Sequence, residues 1–269
     1  MYLPDAKQHN LLRTAILGLI LAVPSVADQF AVTYENPGVQ SVSSTTLCTG
    51  TTICTFGTET FDTWNGSKPL TTDFGTGGFI TGTYSGNIVK TAANEYGGAG
   101  GTGYFADVSN HLSYTLDLTA NGTSSAPGVN YFGLWFSALD AGNLLQFYED
   151  GTLLYSFTPS KFISLVGACP SGSFCGNPNS DYSGKDTSEQ FAFLNFYDTS
   201  GYFDQIVFTE TTSAGFESDN HTVGYLNPPD PSSGTFLQDN APEPGSAYLV
   251  LGGVGLMFVA ARYRRSARS

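Results

Sequence analysis

From Phe30 to Tyr225 the apolar and aromatic side chains come in short runs, many alternating with polar residues and bounded by Gly, Asn, Asp or Pro. That pattern fits β-strands, whose side chains point to opposite faces at period two. The run Leu112-Ser113-Tyr114-Thr115-Leu116-Asp117-Leu118 is the clearest case and puts Leu112, Tyr114, Leu116 and Leu118 on one face. Residues 129–138, with Tyr131, Phe132, Leu134, Trp135 and Phe136, are apolar almost throughout and read as a strand covered on both faces. Residues 144–149 and 152–157 flank Asp150-Gly151, a dipeptide suited to the positive φ angles of a type I′ turn, so they form a hairpin. That turn also accounts for the adjacent acids Glu149 and Asp150 without any acid–base role.

Further strands are expected at residues 30–34, 58–62, 78–84, 102–108, 190–197, 202–210 and 216–225, with a Ser/Thr-rich pair over 39–56. Residues 159–166, with Phe162, Ile163 and Val166 at helical spacing behind a first-turn proline, are the one helix expected in the body. Residues 167–189 form a long loop of the kind that often binds something. Many short strands without an internal repeat predict an all-β fold, a single jelly-roll-like β-sandwich over residues 28–226. After it, Asn227-Pro228-Pro229-Asp230-Pro231 holds too many prolines to pair in a sheet and opens a stalk over residues 227–244.

Both ends of the chain carry apolar segments of a different kind. Lys7 and Arg13 precede the apolar residues 14–23, Pro24 breaks the run, and Ser25-Val26-Ala27 supplies the small residues a signal peptidase needs. Residues 1–27 therefore read as a signal peptide, and the mature chain begins at Asp28. At the other end residues 245–261 are apolar; as a helix, 17 residues rise roughly 25 Å, slightly short of a ~30 Å hydrocarbon core. They span if the flanking arginines snorkel. Arg262, Arg264, Arg265 and Arg268 in the tail 262–269 hold that flank in the cytoplasm and place the body outside.

The body is strongly acidic. Residues 28–241 carry 14 Asp and 7 Glu against 4 Lys and no Arg, a net charge of −17. Such a surface repels phosphate backbones, so nucleic acid is excluded as a partner. Cys48 with Cys54 and Cys169 with Cys175 each enclose five residues. In an exported chain they are expected as two local disulfides, and the spacing does not suit zinc. The mature chain keeps His111 and His221, but no Gly-x-Ser-x-Gly elbow and no serine or free cysteine in a nucleophile pattern beside either. Gly98, Gly100 and Gly103 spell a phosphate-loop pattern, yet they precede a strand where a helix is needed and read as a flexible loop. Asn177, Asn179 and Asp181 alternate as in a calcium loop, but Tyr182 stands where that turn requires glycine.

The triplet Pro242-Glu243-Pro244, the apolar span behind it and the tail arginines Arg262, Arg264 and Arg265 resemble, over residues 241–269, the PEP-CTERM sorting signal of exosortase substrates. The resemblance implies an exported bacterial protein, held by its tail and processed by an exosortase near Pro242 to Pro244. Residues 203–208 and 216–223 are similar to the closing strands of jelly-roll carbohydrate-binding-like domains found in PEP-CTERM surface proteins. That second resemblance implies a structural calcium, with Glu59 or Asp62 and Asp219 with Asn220 as the matching ligands.

Three functions follow as expectations. The preferred one is a non-enzymatic surface or matrix protein associated with exopolysaccharide. The second is a carbohydrate-binding module, for which Trp64, beside Asn65-Gly66, is the tryptophan expected to be exposed. The third is a glycan-cleaving enzyme, which needs two acids facing one groove.

Overall fold

The computed structural model describes residues 30–75, 77–121, 128–231 and 233–237. In chain order they form β1 (Phe30–Tyr34), a helical turn α1 (Ser44–Leu47), β2 (Ile53–Glu59), β3 (Leu70–Asp73), β4 (Ile80–Gly86), β5 (Val89–Ala92), β6 (Tyr104–Ser109), β7 (Ser113–Ala120) and β8 (Tyr131–Leu139). Then come β9 (Asn143–Glu149), β10 (Thr152–Phe157), α2 (Ser160–Val166), β11 (Gln190–Asp198), β12 (Gln205–Glu210), β13 (Gly215–Asn227) and β14 (Thr235–Phe236). Two antiparallel sheets result. One runs β14-β1-β11-β8-β13-β6-β5, with β2 also on β13; the other runs β10-β9-β12-β7-β4-β3. The chain passes from sheet to sheet between β2 and β3, β4 and β5, β6 and β7, β7 and β8, β8 and β9, β10 and β11, β11 and β12, and β12 and β13, so the two sheets are stitched together along their length.

Aromatic side chains fill the space between the sheets. Phe132, Leu134, Phe136, Phe196 and Phe216 of the first sheet meet Tyr114, Leu116, Leu145, Phe147, Ile206 and Phe208 of the second in one buried cluster. Phe147 alone has Phe30, Phe132, Phe196 and Phe203 as ring neighbours. Every residue of β8 and of β11 is buried, as the unbroken apolar run requires. The outer face of these two strands carries Tyr131, Tyr197, Trp135, Phe191 and Phe193, roofed by Val42, Leu47 and Ala99 from the connecting segments. The Asp150-Gly151 hairpin is present, with φ of 46° and 74° at the turn, and β10 pairs back on β9 from Thr152↔Glu149.

The structure corrects the sequence reading at several points. Over residues 39–56 the expected strand pair is one helical turn and one strand. Ser43 Oγ lies 2.8 Å from Thr45 Oγ1 and 2.9 Å from Thr46 Oγ1, and such local hydroxyl bonds draw the chain into a turn. The Cys48–Cys54 disulfide then holds the turn against β2. Trp64 is buried at 5% exposure with its indole N–H on the Ser67 carbonyl, whereas Leu112 is 45% exposed because Asn110 and His111 turn the chain before β7 begins. β3 and β5 were too short to show a period. The residues from 227 on, expected as a stalk, do not all leave the body. Residues 233–237 return to the first sheet, where β14 pairs with β1, the Leu237 N–H reaches the Val32 carbonyl, and Ser233 and Leu237 are buried. The expected helix is present as α2, with Phe162 buried, and both disulfides form.

One close approach gives a direct test of the packing. At Gly57 in β2, an added Cβ would lie 2.2 Å from the Phe74 carbonyl oxygen, and a main-chain atom cannot swing aside. Gly57→Ala is expected to lower stability by about 2 kcal/mol, or roughly 6 °C in Tm, measured by thermal unfolding.

Candidate functional site

His221 is among the fully buried polar groups. The register of β13 against β8 slips between Asp219 and Thr222, with Asn220 at φ 49°. A regular strand would send residues three apart to opposite faces; this slip turns both Ser218 and His221 into the core. The sequence pattern offers neither histidine a serine partner, yet His221 Nε2 lies 2.9 Å from Ser218 Oγ. Its Nδ1 lies 3.1 Å from the Tyr84 hydroxyl, and Ser218 Oγ is 3.2 Å from the Tyr114 hydroxyl. The imidazole stacks on Phe208 at 5.0 Å and meets Phe61 and Phe132 edge-on. Burial pushes its pKa down to about 3, so it stays neutral at physiological pH. With His221 and Ser218 both at 0% exposure, no substrate reaches the pair, and its chemistry is that of a satisfied polar link inside the core. His111, by contrast, is exposed and turns Nδ1 to the Thr211 carbonyl.

Glu59, Asp62, Asp219 and Asn220, the expected calcium ligands, share a neighbourhood but point at the protein's own main chain. Glu59 accepts from the Phe61 N–H at 2.6 Å and from the Thr72 hydroxyl. Asp62 accepts from the Tyr104 N–H at 2.8 Å, and Asp219 from the Ala99 and Asn220 N–H groups, both at 2.7 Å. The Asn220 amide donates to the Gln40 carbonyl at 2.8 Å. Burial raises the Asp219 carboxyl to about 7, opposed by its two N–H bonds and assisted by the charges of Asp62 and Glu59. Among the described residues no three His, Cys, Asp or Glu side chains are placed to hold a metal ion. These side chains spend part of their oxygens on the protein's own hydrogen bonds, and the expected result is the same Tm in calcium as in chelator; a higher Tm with calcium would show that these or other oxygens hold the ion.

The glycine-rich segment is pinned, not flexible. Ala99 N–H is taken by Asp219, and Gly100 N–H by Gln40 Oε1 at 2.5 Å. Gln40 also donates to Asn179 Oδ1 at 2.9 Å, and Asn179 donates to the Gly98 carbonyl at 3.1 Å. Asn177 reaches the carbonyls of Asn94 and Glu95. Asn177 and Asn179, two of the three residues that alternate as in a calcium loop, thus fasten the clipped loop 167–189 onto the loop between β5 and β6.

Sequence reasoning missed a pair of acids because the strand pairing that joins them is not local. Asp107 on β6 and Glu217 on β13 are register partners, with Ser137 of β8 on the other side of Glu217. Burial, then the Asp107 charge, raises the Glu217 carboxyl to about 9; burial raises Asp107 to about 6. At the end of the clipped loop, burial and then the Asp186 charge raise Glu189 to about 8, and the two carboxyls share a hydrogen bond. A depression of about 110 Å³ at Tyr155, Ser156, Phe157, Thr158 and Lys161 lies on a different sheet from these acids. It is well below the ~300 Å³ at which ligand pockets begin.

The chain's far end carries the delivery signal. A family model matches a stretch that holds the Pro-Glu-Pro triplet, the apolar span and the first arginines. Residues 240–265 match the PEP-CTERM protein-sorting motif. The PEP-CTERM match contains Pro242, Glu243, Pro244, Arg262, Arg264 and Arg265. It implies an exported protein that is anchored at the membrane, processed by an exosortase and sorted to the surface. These residues, like the expected signal peptide 1–27 and membrane span 245–261, lie outside the described residues. Among the described residues no helix is long and apolar enough to cross a membrane. No curated protein and no solved structure matches the chain.

Proposed function

We propose that the protein is a non-enzymatic surface or matrix component of the cell envelope, delivered by its PEP-CTERM motif and associated with exopolysaccharide. On this reading residues 1–27 are removed on export, residues 245–261 hold the chain in the membrane until processing, and the body is a sandwich of jelly-roll kind. The observation that carries it is the motif at residues 240–265, joined to a body whose histidine, glycine loop and expected ligands are all spent on internal bonds. Both disulfides suit an oxidising compartment.

A carbohydrate-binding module is the second reading, favoured by exposed Tyr96 and Tyr104 beside the β5–β6 connection. Lys90 Nζ already lies 3.7 Å over the Tyr104 ring, leaving Tyr96 as the freer stacking surface. A glycan-cleaving activity would draw on one of the two acid pairs, Asp107 with Glu217 or Asp186 with Glu189. Fractionation of the host with mass spectrometry of the mature termini tests delivery: the expected chain begins at Asp28 and ends near Glu243, and replacing residues 242–244 by alanine leaves it unprocessed. An intact Met1 in a cytosolic pool with reduced thiols overturns this. Co-sedimentation with the host's polysaccharide tests the association, and release of sugar that disappears in Glu217→Gln would replace it with the enzymatic reading.

A further inference from the structure

We propose that Asn65 is a site of slow self-modification, at which the Gly66 nitrogen closes on the Asn65 side chain and an aspartate or isoaspartate results. Asparagine is followed by glycine at Asn65-Gly66 and at Asn121-Gly122. Glycine permits the reaction because no side chain shields its nitrogen and its backbone turns freely towards the ring. Water is the only co-reactant. The Gly66 nitrogen gives its proton to solvent base and bonds to Asn65 Cγ; the Cγ–Nδ2 bond then breaks, and the nitrogen leaves as ammonia with a proton from solvent. The cyclic imide takes up a water molecule. Opening between the ring nitrogen and Cγ gives aspartate, and opening at the main-chain carbonyl gives isoaspartate.

The fold singles out Asn65 of the two. Asn65, Gly66 and Ser67 are all exposed, so water and base reach them. Gly66 sits at φ 86°, and no atom lies within 4 Å of where its Cβ would stand, so nothing packs over the turn. The Ser67 N–H donates to Asn65 Oδ1 at 2.8 Å. That bond draws the side-chain carbonyl towards the main chain ahead of it and supports the negative charge that grows on Oδ1 as the ring closes. Asn121 is held through its other end. Its Nδ2 donates to the Gly78 carbonyl at 3.3 Å and lies 3.4 Å from Thr81 Oγ1, so its leaving group has bonds to break first.

The change at Asn65 reaches the core. The Trp64 indole N–H rests on the Ser67 carbonyl, and Lys90 Nζ rests on the carbonyls of Asp62 and Trp64. Isoaspartate adds a methylene to the main chain between Trp64 and Ser67. It therefore lengthens the turn that keeps Trp64 at 5% exposure.

The test is peptide mapping by mass spectrometry of the full chain in detergent, aged in mildly alkaline heavy-oxygen water with and without urea. Heavy oxygen separates conversion during ageing from conversion during digestion. The expected result is that folding slows Asn121 at least about tenfold but leaves Asn65 within about threefold of its rate in the unfolded chain. Ser67→Pro removes the donating N–H, and with the fold checked by circular dichroism its Asn65 conversion, taken against its own unfolded chain, falls on the order of tenfold. The wild-type comparison decides the matter even if that variant does not fold. Asn65 slowed by folding as much as Asn121 overturns the proposal, as does a folded Ser67→Pro chain that converts at the wild-type rate. The sorting reading is untouched by any of these outcomes.

Discussion

Between pH 6.5 and pH 9 the folded body is expected to lose stability, by about 2 kcal/mol and roughly 6 °C in Tm, and Glu217→Gln is expected to remove most of that loss. Glu217, Glu189, Asp219 and Asp107 have folded pKa values raised to about 9, 8, 7 and 6. In the unfolded chain each returns to about 4. The folded state therefore holds protons that the unfolded state has released, and stability falls as pH rises. Their contribution is complete below pH ~4 and disappears as pH climbs through each folded value. His221 has the opposite sign: its pKa is depressed to about 3, so it costs stability only below about 6.5. The window above 6.5 thus reports the carboxyls alone. One pKa unit is worth about 1.4 kcal/mol, and the figure of 2 is well under the full shifts because these acids are partly open to water and relieve one another as they ionise. Thermal melts across the window decide the matter; a Tm that holds level or rises towards pH 9 would mean that the Asp107–Glu217 pair is more solvated than its place on the sheet implies.

What the sequence disclosed about this fold was whatever could be written over a few consecutive residues. The Asp150-Gly151 turn is local chemistry, so its hairpin could be read directly, and the same holds for the five-residue cysteine loops and the proline-led α2. The double burial of β8 was visible because an apolar run of that length has no polar face to give to water. β14 was invisible because two residues have no period, and prolines 228, 229 and 231 argued for an extended stalk over the very segment that swings back to β1. Trp64 was misplaced because neighbouring Asn65-Gly66 marks a turn, and a turn says nothing about which way the ring before it faces; Phe61 takes it inward. The candidate site suffered most. Asp107 with Glu217, Gln40 with Asn179 and Asp219 with Ala99 are each more than a hundred residues apart in the chain; sheet register joins the first pair and hydrogen bonds between loops and strands join the other two. Ser218 and His221 are three residues apart, but only the slip at Asn220 puts them on the same face.

His221 provides the sharpest test of that core. Removing it in His221→Ala leaves a void ringed by Phe61, Phe132 and Phe208 and takes the partner away from the buried Tyr84 hydroxyl. The expected cost is about 4 kcal/mol, or more than ~10 °C in Tm. His221→Phe keeps the ring stack and loses only the hydrogen bonds to Tyr84 and Ser218, so about 2 kcal/mol is expected at neutral pH. The two states of the wild type titrate differently, however. Below about pH 6.5 the unfolded chain protonates this histidine while the folded core does not, and wild-type stability falls towards acid relative to the phenylalanine variant. The gap between the two proteins should therefore close near pH 5 and reverse by pH 4. A gap that stays constant would show that His221 takes up its proton inside the fold, and the neutral, sealed core described for it would have to be abandoned.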